Sequence, residues 1–419
     1  MFNEDFLHYL WKQKLLKPSA IETISGEPVA IQSTGVHNHD AGPDFLNAKL
    51  KIGNTLWAGN VEIHLKTSDW FRHNHQNDDA YKNVILHVVY EHDAELDIPT
   101  VELKGKIPKT VIRQYELLMN SIHTIPCQSQ IASVDKFVLN QQLTRAALER
   151  IETKAKNINE LLEATTYDWD QVFYSLVLRT LGSPVNKETF EELGNRLPFK
   201  LIRKYSHDLV MLETLFLGIA GFLDDIFENP VELEMQKDFQ HFELKHDLNK
   251  LSAVNWKFSK MRPANFPTVR LGQAAALFNS ITVSFENLIK NYSVQDIYKL
   301  LNVSASAYWD NRYRVGTISS KTVKKQLGKS SIESIIINVI APLCYAYGQH
   351  KGNQALIEKS SELLEVLKPE TNKYTKYFNE LGLRSASALE SQGIIQQMKT
   401  YCATKKCLSC AIGNALLRS

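Results

Sequence analysis

The sequence predicts an α+β protein, with an N-terminal α/β domain on a mixed sheet followed by a larger all-α domain. Three observations predict it. As far as Lys109 the apolar residues alternate with polar ones in short β-branched runs, the mark of strands, whereas from Ser133 onward they recur every three or four positions, the mark of helices. The third is size: 419 residues at 44% hydrophobic content can bury a sizeable core and suggest two or three domains. The boundaries are drawn at residues 1–130, 131–400 and 401–419, the last a short cysteine-bearing tail.

Each element follows from its own pattern. Residues 4–15 read as a helix, with Phe6, Leu7, Leu10, Trp11 and Leu15 at helical spacing, and residues 28–34 as a short strand. Asp44 opens the alternating run 45–52, Gly53 and Asn54 turn the chain, and 56–65 returns as the second arm of a hairpin. Residues 78–83 form a short helix, 84–90 a strongly β-branched strand, and 100–107 an edge strand or hairpin. Helix, strand, strand, strand, helix, strand is the order of a compact α/β unit. Beyond it, Leu139, Leu143, Ala147, Ile151, Ala155, Ile158 and Leu162 mark one stripe of a long amphipathic helix starting near Ser133. Further helices are expected at 168–180, 187–193, 206–224, 271–292, 294–300, 330–347, 353–367 and 386–401.

Charge excludes little. The 48 basic and 46 acidic residues leave a net charge of +2, and a basic groove for nucleic acid can hide inside so neutral a total. The start, Met1-Phe2-Asn3-Glu4-Asp5, is acidic where a secretory signal is basic. The most apolar stretches, 209–223 and 335–347, are interrupted by Glu213 and by Asn338 and Pro342, so they read as buried helices and no membrane partner is expected. An odd cysteine count of five, with no signal, points to a reduced, cytoplasmic protein.

The chemistry concentrates between Asn38 and Asp93. Side chains alternate along a strand, so Glu62, His64 and Lys66 share one face and Val61, Ile63 and Leu65 the other, while Asp44 opens the neighbouring strand. A carboxylate and an imidazole beside an aspartate can hold a hard divalent cation. Seven of the 13 histidines fall between His37 and His92, both included, a density unusual for a purely structural sheet. His73 and His75 are candidates to donate to a phosphate or to form a softer, zinc-type site. Asp69 suits a turn or helix cap as well as a ligand. The bland reading is that Gly42-Pro43-Asp44 is a turn before a strand and that Glu62 and His64 lie on a solvated sheet face.

A proline-aspartate at the mouth of one strand, then Glu-x-His on the next where Glu-x-Lys is usual, resembles the core of the PD-(D/E)XK phosphodiesterase superfamily over roughly the first quarter of the chain. The resemblance implies a restriction-endonuclease-like N-terminal domain and a metal-dependent nuclease whose partner is nucleic acid. Asp44 and Glu62 would bind Mg²⁺ or Mn²⁺, which polarises the phosphate and acidifies the attacking water, and Glu4 on the leading helix would complete the ligand set. His64 stands where the superfamily keeps its lysine. Either its imidazole takes over the positioning of water, or Lys66 reaches back, or catalysis has been lost. Two rival readings are a non-catalytic nucleic-acid-binding or scaffold protein on the same fold, and a zinc-dependent hydrolase using the histidines. Residues 40–45, 57–64 and 84–89 are also similar to an uncharacterised bacterial protein family of unknown function, which implies no activity.

Two further groups stand out. Cys402, Cys407 and Cys410 lie in a short basic stretch with Lys405 and Lys406 and are one ligand short of a tetrahedral zinc site or an iron–sulfur cluster. Cys127, in the polar context Pro126-Cys127-Gln128, is the expected fourth ligand, and Cys344, in an apolar helix, is expected in a core. One cysteine ahead of a helical insertion and three behind it resembles the split clasp of some iron–sulfur nucleases, with a different spacing. Arg262 and Arg270 flank a proline-rich segment leading into a helix, where they could bind substrate phosphate or pair with carboxylates in a rigid loop.

Overall fold

In the computed structural model, which describes residues 2–17, 21–280, 283–289 and 293–419, the chain divides into two units. One is Met1–Leu143 with Gln397–Ser419, the other Thr144–Gln396.

The first unit carries the large sheet. Its leading helix α1 (Glu4–Lys12) starts where the Asn3 side chain accepts the Phe6 N–H at 3.2 Å. It stops short of Leu15 because Lys14 turns left-handed, φ 51°, and the Leu15 N–H closes onto the Leu10 carbonyl at 2.9 Å. Phe6, Leu7, Leu10 and Trp11 are buried, as their spacing requires. The strands are β1 (Val29–Ser33), β2 (Val36–His37), β3 (Phe45–Ile52), β4 (Thr55–Lys66), β5 (Val84–Glu91) and β6 (Thr100–Glu102). They form one mixed sheet in the order β1-β3-β4-β5-β6, with β2 also on β3. β3 is antiparallel to β1, β2 and β4, whereas β4–β5 and β5–β6 are parallel. Ile52 faces Thr55 across the hairpin, and Gly53 takes the φ of 57° that the turn demands. The helix expected at 78–83 shrinks to a 3₁₀ turn, Asp79–Tyr81, capped by the Asp78 side chain on the Ala80 N–H at 2.9 Å.

The stretch of β4 that carries Glu62 and His64 is not solvated. From Val61 to His64 every residue of β4 is buried, with Glu62 4% and His64 2% exposed. The reason is position: β4 is an inner strand, its parallel pairing with β5 requires cover on both faces, and α1 packs on it.

The second unit is helical apart from a small hairpin, Arg312–Arg314 with Thr317–Ile318. Its helices begin where capping residues sit. Asp168 accepts from Gln171 N–H at 2.9 Å ahead of Trp169–Leu181, and Asp208 accepts from Met211 N–H at 3.1 Å, so the helix expected from 206 starts at Leu209. That helix ends at Ile219, before Gly221 at φ 77°. The helix expected at 271–292 runs instead over Pro267–Asn279, stops where Ser280 is extended, and is followed by a separate Phe285–Ile289; residues 281–282 and 290–292 of that expectation lie outside the described residues. A 17-residue helix, Pro230–His246, lies where none is expected. Its start signals are in the sequence: Asn229 caps the Val231 N–H at 3.0 Å and Pro230 takes the first position.

Glu213 is fully buried, accepting from the Ser306 N–H at 2.9 Å and hydroxyl at 2.6 Å, and burial pushes its carboxyl up to about 7. Helical backbone is continuous over Lys329–Lys351, with a π turn at Ile336–Ile340 accommodating Pro342; it is long and apolar enough to cross a membrane and is mostly buried. The cysteine-bearing tail is ordered as a turn, Cys407–Ser409, and a helix, Ala411–Arg418, and it belongs to the first unit.

Candidate metal centre

Asp44 is delivered by a loop that Asn38 holds in shape. The Asn38 amide donates to the carbonyls of Ala41 (3.3 Å) and Pro43 (3.1 Å), its side-chain oxygen accepts the Asp40 N–H (3.0 Å), and its backbone N–H reaches the Asp44 carbonyl at 2.7 Å. Gly42 sits at φ 108°, open to glycine and strained for other residues. Gly42-Pro43-Asp44 is thus a turn, and the turn aims a carboxylate. Asp44 Oδ2 accepts the Ile63 N–H at 2.9 Å and lies 3.2 Å from His8 Nε2. In return Glu62 Oε2 accepts the Asp44 N–H at 3.1 Å. The two carboxylates cross between β3 and β4, each bonded to the backbone at or beside the other.

The second Glu62 oxygen faces imidazoles. Oε1 is 3.4 Å from His64 Nε2 and 3.4 Å from His75 Nε2. His64 Nε2 lies 3.2 Å from His73 Nδ1, and His64 Nδ1 lies 2.9 Å from His87 Nε2 on β5. Donor nitrogens of His64, His73 and His75 all lie within 4.8 Å of one another. The segment that carries His73 and His75 is pinned by Asp69, which accepts the Lys66 N–H at 3.1 Å and pairs with Arg72 at 2.9 Å. Trp70 stands edge-on to His75 and His87, and Tyr81 stacks on His75 at 3.8 Å. Asp69 is therefore a turn anchor, and His73 and His75 join the cluster itself.

Among the described residues Glu62 pairs with no lysine or arginine. Burial, then the Asp44 charge, push its carboxyl up to about 9. Burial, reinforced by His87, His73 and His75, pushes His64 down to about 2, and burial with His75 takes His87 to about 3. Left alone, Glu62 is held toward its protonated form, and His64, His75 and His87 toward neutral imidazoles with lone pairs to offer. The His75 Nε2 atom is buried and makes no hydrogen bond, with Glu62 Oε1 3.4 Å away. Three imidazoles with one carboxylate could hold a metal ion, and that donor set suits a borderline ion of the Zn²⁺ or Mn²⁺ kind better than Mg²⁺, which prefers oxygen.

Glu4 and His8 stand one helical turn apart on α1, on one face. Burial raises Glu4 against the opposing pull of His8, and it feels the charges of Asp44 and His73. Burial lowers His8, but its hydrogen bond with Asp44 and the Asp44 and Glu4 charges outweigh that and the net shift is upward. Sequence reasoning passes over His8, although its i,i+4 spacing from Glu4 was the available signal. Lys66 is half exposed and its Nζ lies 3.7 Å from Asp93, turned to that acid and not to Glu62. Arg262 and Arg270 belong to the second unit. Arg270 donates to Gln273 at 2.9 Å and Asn265 at 2.8 Å, and both arginines line a pocket with Lys260 and Pro184. Cys127, Cys402, Cys407 and Cys410 line one small cavity of the first unit, and Cys344 is buried in the second, as expected.

A family model described as a protein of unknown function matches residues 4–373. No curated protein and no solved structure matches the chain.

Proposed function

The chain belongs to that family, DUF2851, and since membership carries no activity, we propose from the geometry that it is a divalent-metal-dependent phosphodiesterase acting on nucleic acid. One observation carries the reading: a buried carboxylate, Glu62, crossed with Asp44 on one side and 3.4 Å from two imidazole nitrogens on the other. The strand order supports it. After α1 come β1, β3 and β4 in antiparallel succession, then the turn segment with His73 and His75, then β5 parallel to β4, with Asp44 opening β3 and Glu62 and His64 on β4. That succession resembles the helix-strand-strand-strand-helix-strand order and acid placement expected of a PD-(D/E)XK core, and it supports the reading without establishing the superfamily.

Glu62, His64, His73 and His75 would hold the cation, with Asp44 beside it. Bound there, a cation polarises a phosphoryl oxygen and lowers the pKa of water. His8, held toward its protonated form by Asp44, offers a proton donor to the phosphate or to the departing oxygen. The test is cleavage of supercoiled DNA, single-stranded DNA and RNA by the full chain with Mg²⁺, Mn²⁺ or Zn²⁺ added singly. Cleavage with at least one ion is expected, and its loss in Asp44→Asn and Glu62→Gln with circular dichroism unchanged. Failure to cleave any substrate with any ion overturns the reading.

The three-imidazole group favours one alternative, a zinc hydrolase of non-phosphate esters. Zinc-loaded protein that hydrolyses a nitrophenyl carboxylate ester but no phosphodiester would select it.

A further inference from the structure

Four of the five cysteines line one cavity, Cys127 coming from far earlier in the chain than Cys402, Cys407 and Cys410. Cys127 follows the helix Lys109–Met119 in a turn closed by Gln130 N–H on its carbonyl at 3.0 Å. Cys402 ends the helical turn Gln397–Cys402, and Cys407 and Cys410 bracket the tail turn, where Cys410 N–H returns to the Cys407 carbonyl at 3.2 Å. All four are buried, unoxidised and exposed to the same small cavity. Gly413 lets the last helix seat against this turn, since a Cβ there would stand 2.2 Å from the Cys407 carbonyl.

The independent observation is the polarity of the amides around the sulfurs. The Ala411 backbone N–H, which can only donate, is bound by Gln142 Oε1 at 2.9 Å. That fixes Gln142 Nε2 as the donor to Gln397 Oε1, also at 2.9 Å. Gln397 must therefore turn its NH₂ to the sulfurs, and it does, 3.3 Å from Cys410 and 3.7 Å from Cys402. A buried relay that ends by pointing two N–H bonds at cysteine sulfur is built for thiolates.

We propose that Cys127, Cys402, Cys407 and Cys410 bind a thiophilic metal centre as thiolates, with Gln397 as the outer hydrogen-bond donor that positions two of them. Without a cation, burial pushes Cys402 up to about 12 and Cys407 up to about 11 and raises Cys127 as well, and the thiols reinforce one another; Lys405 alone opposes this at Cys407. A metal reverses the balance, releasing the thiol protons to solvent on binding. No three of the four sulfurs lie mutually within 4.8 Å, whereas Zn–S bonds of about 2.3 Å place ligand sulfurs roughly 3.8 Å apart. A single zinc ion draws the sulfurs inward, and an iron–sulfur cluster spans a wider gap, so the two sources of the same thiolate chemistry are told apart by metal content.

The full chain is purified without oxygen, its zinc and iron are counted and its visible spectrum recorded. Iron near about four per chain with absorption in the visible identifies a cluster, and zinc retained in Glu62→Gln identifies a zinc ion. Cys127→Ser and Cys407→Ser should lose this metal, and Cys344→Ser should keep it. Gln397→Leu should keep the metal but surrender it to chelator several-fold faster, a readout that loss of packing alone does not produce with metal content intact. If the serine variants fail to fold, chelator-stripped wild type is reloaded and alkylated, with mass spectrometry reading each cysteine. Metal-dependent protection of all four supports the site. Wild type in which no zinc or iron is held that Cys127→Ser loses, or a Cys127 whose alkylation ignores metal, overturns it, and neither result bears on cleavage at the histidine cluster.

Discussion

His64 and Glu213 are both buried titratable groups, and the direction of each shift decides what the residue can do. His64, pushed down to about 2 by burial and its imidazole neighbours, is neutral at any working pH. A group so reluctant to accept a proton serves better as a lone-pair ligand than as the base that stands in for lysine. Both His64→Ala and His64→Lys are therefore expected to weaken metal binding by at least about 10-fold in calorimetric titration, the lysine more so because its ammonium repels the ion. A lysine variant that cleaves like wild type would return the residue to the water-positioning role. Glu213 shifts the other way, from 4.5 to about 7. The folded state then holds a proton that the unfolded state releases, so stability is intact below the unfolded value and declines as pH rises through the folded one, by on the order of 3 kcal/mol across the window. Glu213→Gln, which cannot ionise, is expected to flatten the dependence of unfolding free energy on pH between 5 and 8. An unaltered slope in denaturant titrations would refute this.

The loop before β3 and the capped helices show how local chemistry sets elements. Asn38 makes three side-chain hydrogen bonds that shape residues 38–44 and so place Asp44. Asn38→Ala should cost about 1–2 kcal/mol in thermal or chemical unfolding and loosen metal binding while His64, His73 and His75 stay in place. Stability lowered with metal affinity unchanged would mean that Asp44 does not contribute to the site. The hairpin around Gly53, the strand 84–91 and the starts at Asp168 and Asn353 were legible because each rests on a few neighbouring residues. Where periodicity misled, a backbone detail intervened: Lys14 turning left-handed after α1, or Ser280 becoming extended after Asn279. The helix Pro230–His246 was overlooked because its moderately polar stripe is a weak signal beside the strongly apolar helix before it, even though Asn229-Pro230 announces it.

Tail and N-terminal domain form one unit, although some 250 residues separate them in sequence. Met398, Tyr401, Ile412, Leu416 and Leu417 are buried there, and at roughly 1.5–3 kcal/mol each their loss is comparable to the whole stability of a domain. A chain ending at 396 is expected to lose hydrogen-exchange protection across β3, β4 and β5; protection that survives truncation would separate the tail from that fold. The sequence alone determined that strands come first and helices after, that Asp44 and Glu62 sit on neighbouring strands, that histidines crowd that region, and that three cysteines close the chain, because spacing and turn chemistry are local properties. It could not determine that residues 61–64 of β4 are buried, which pushes the Glu62 carboxyl up to about 9 and the His64 imidazole down to about 2. Nor could it show that His8 and His87 join the cluster, or that Gln142 and Gln397 orient donors toward sulfur. Those facts arise only when distant segments pack, since burial and hydrogen-bond polarity belong to the surroundings of a side chain and not to its place in the chain.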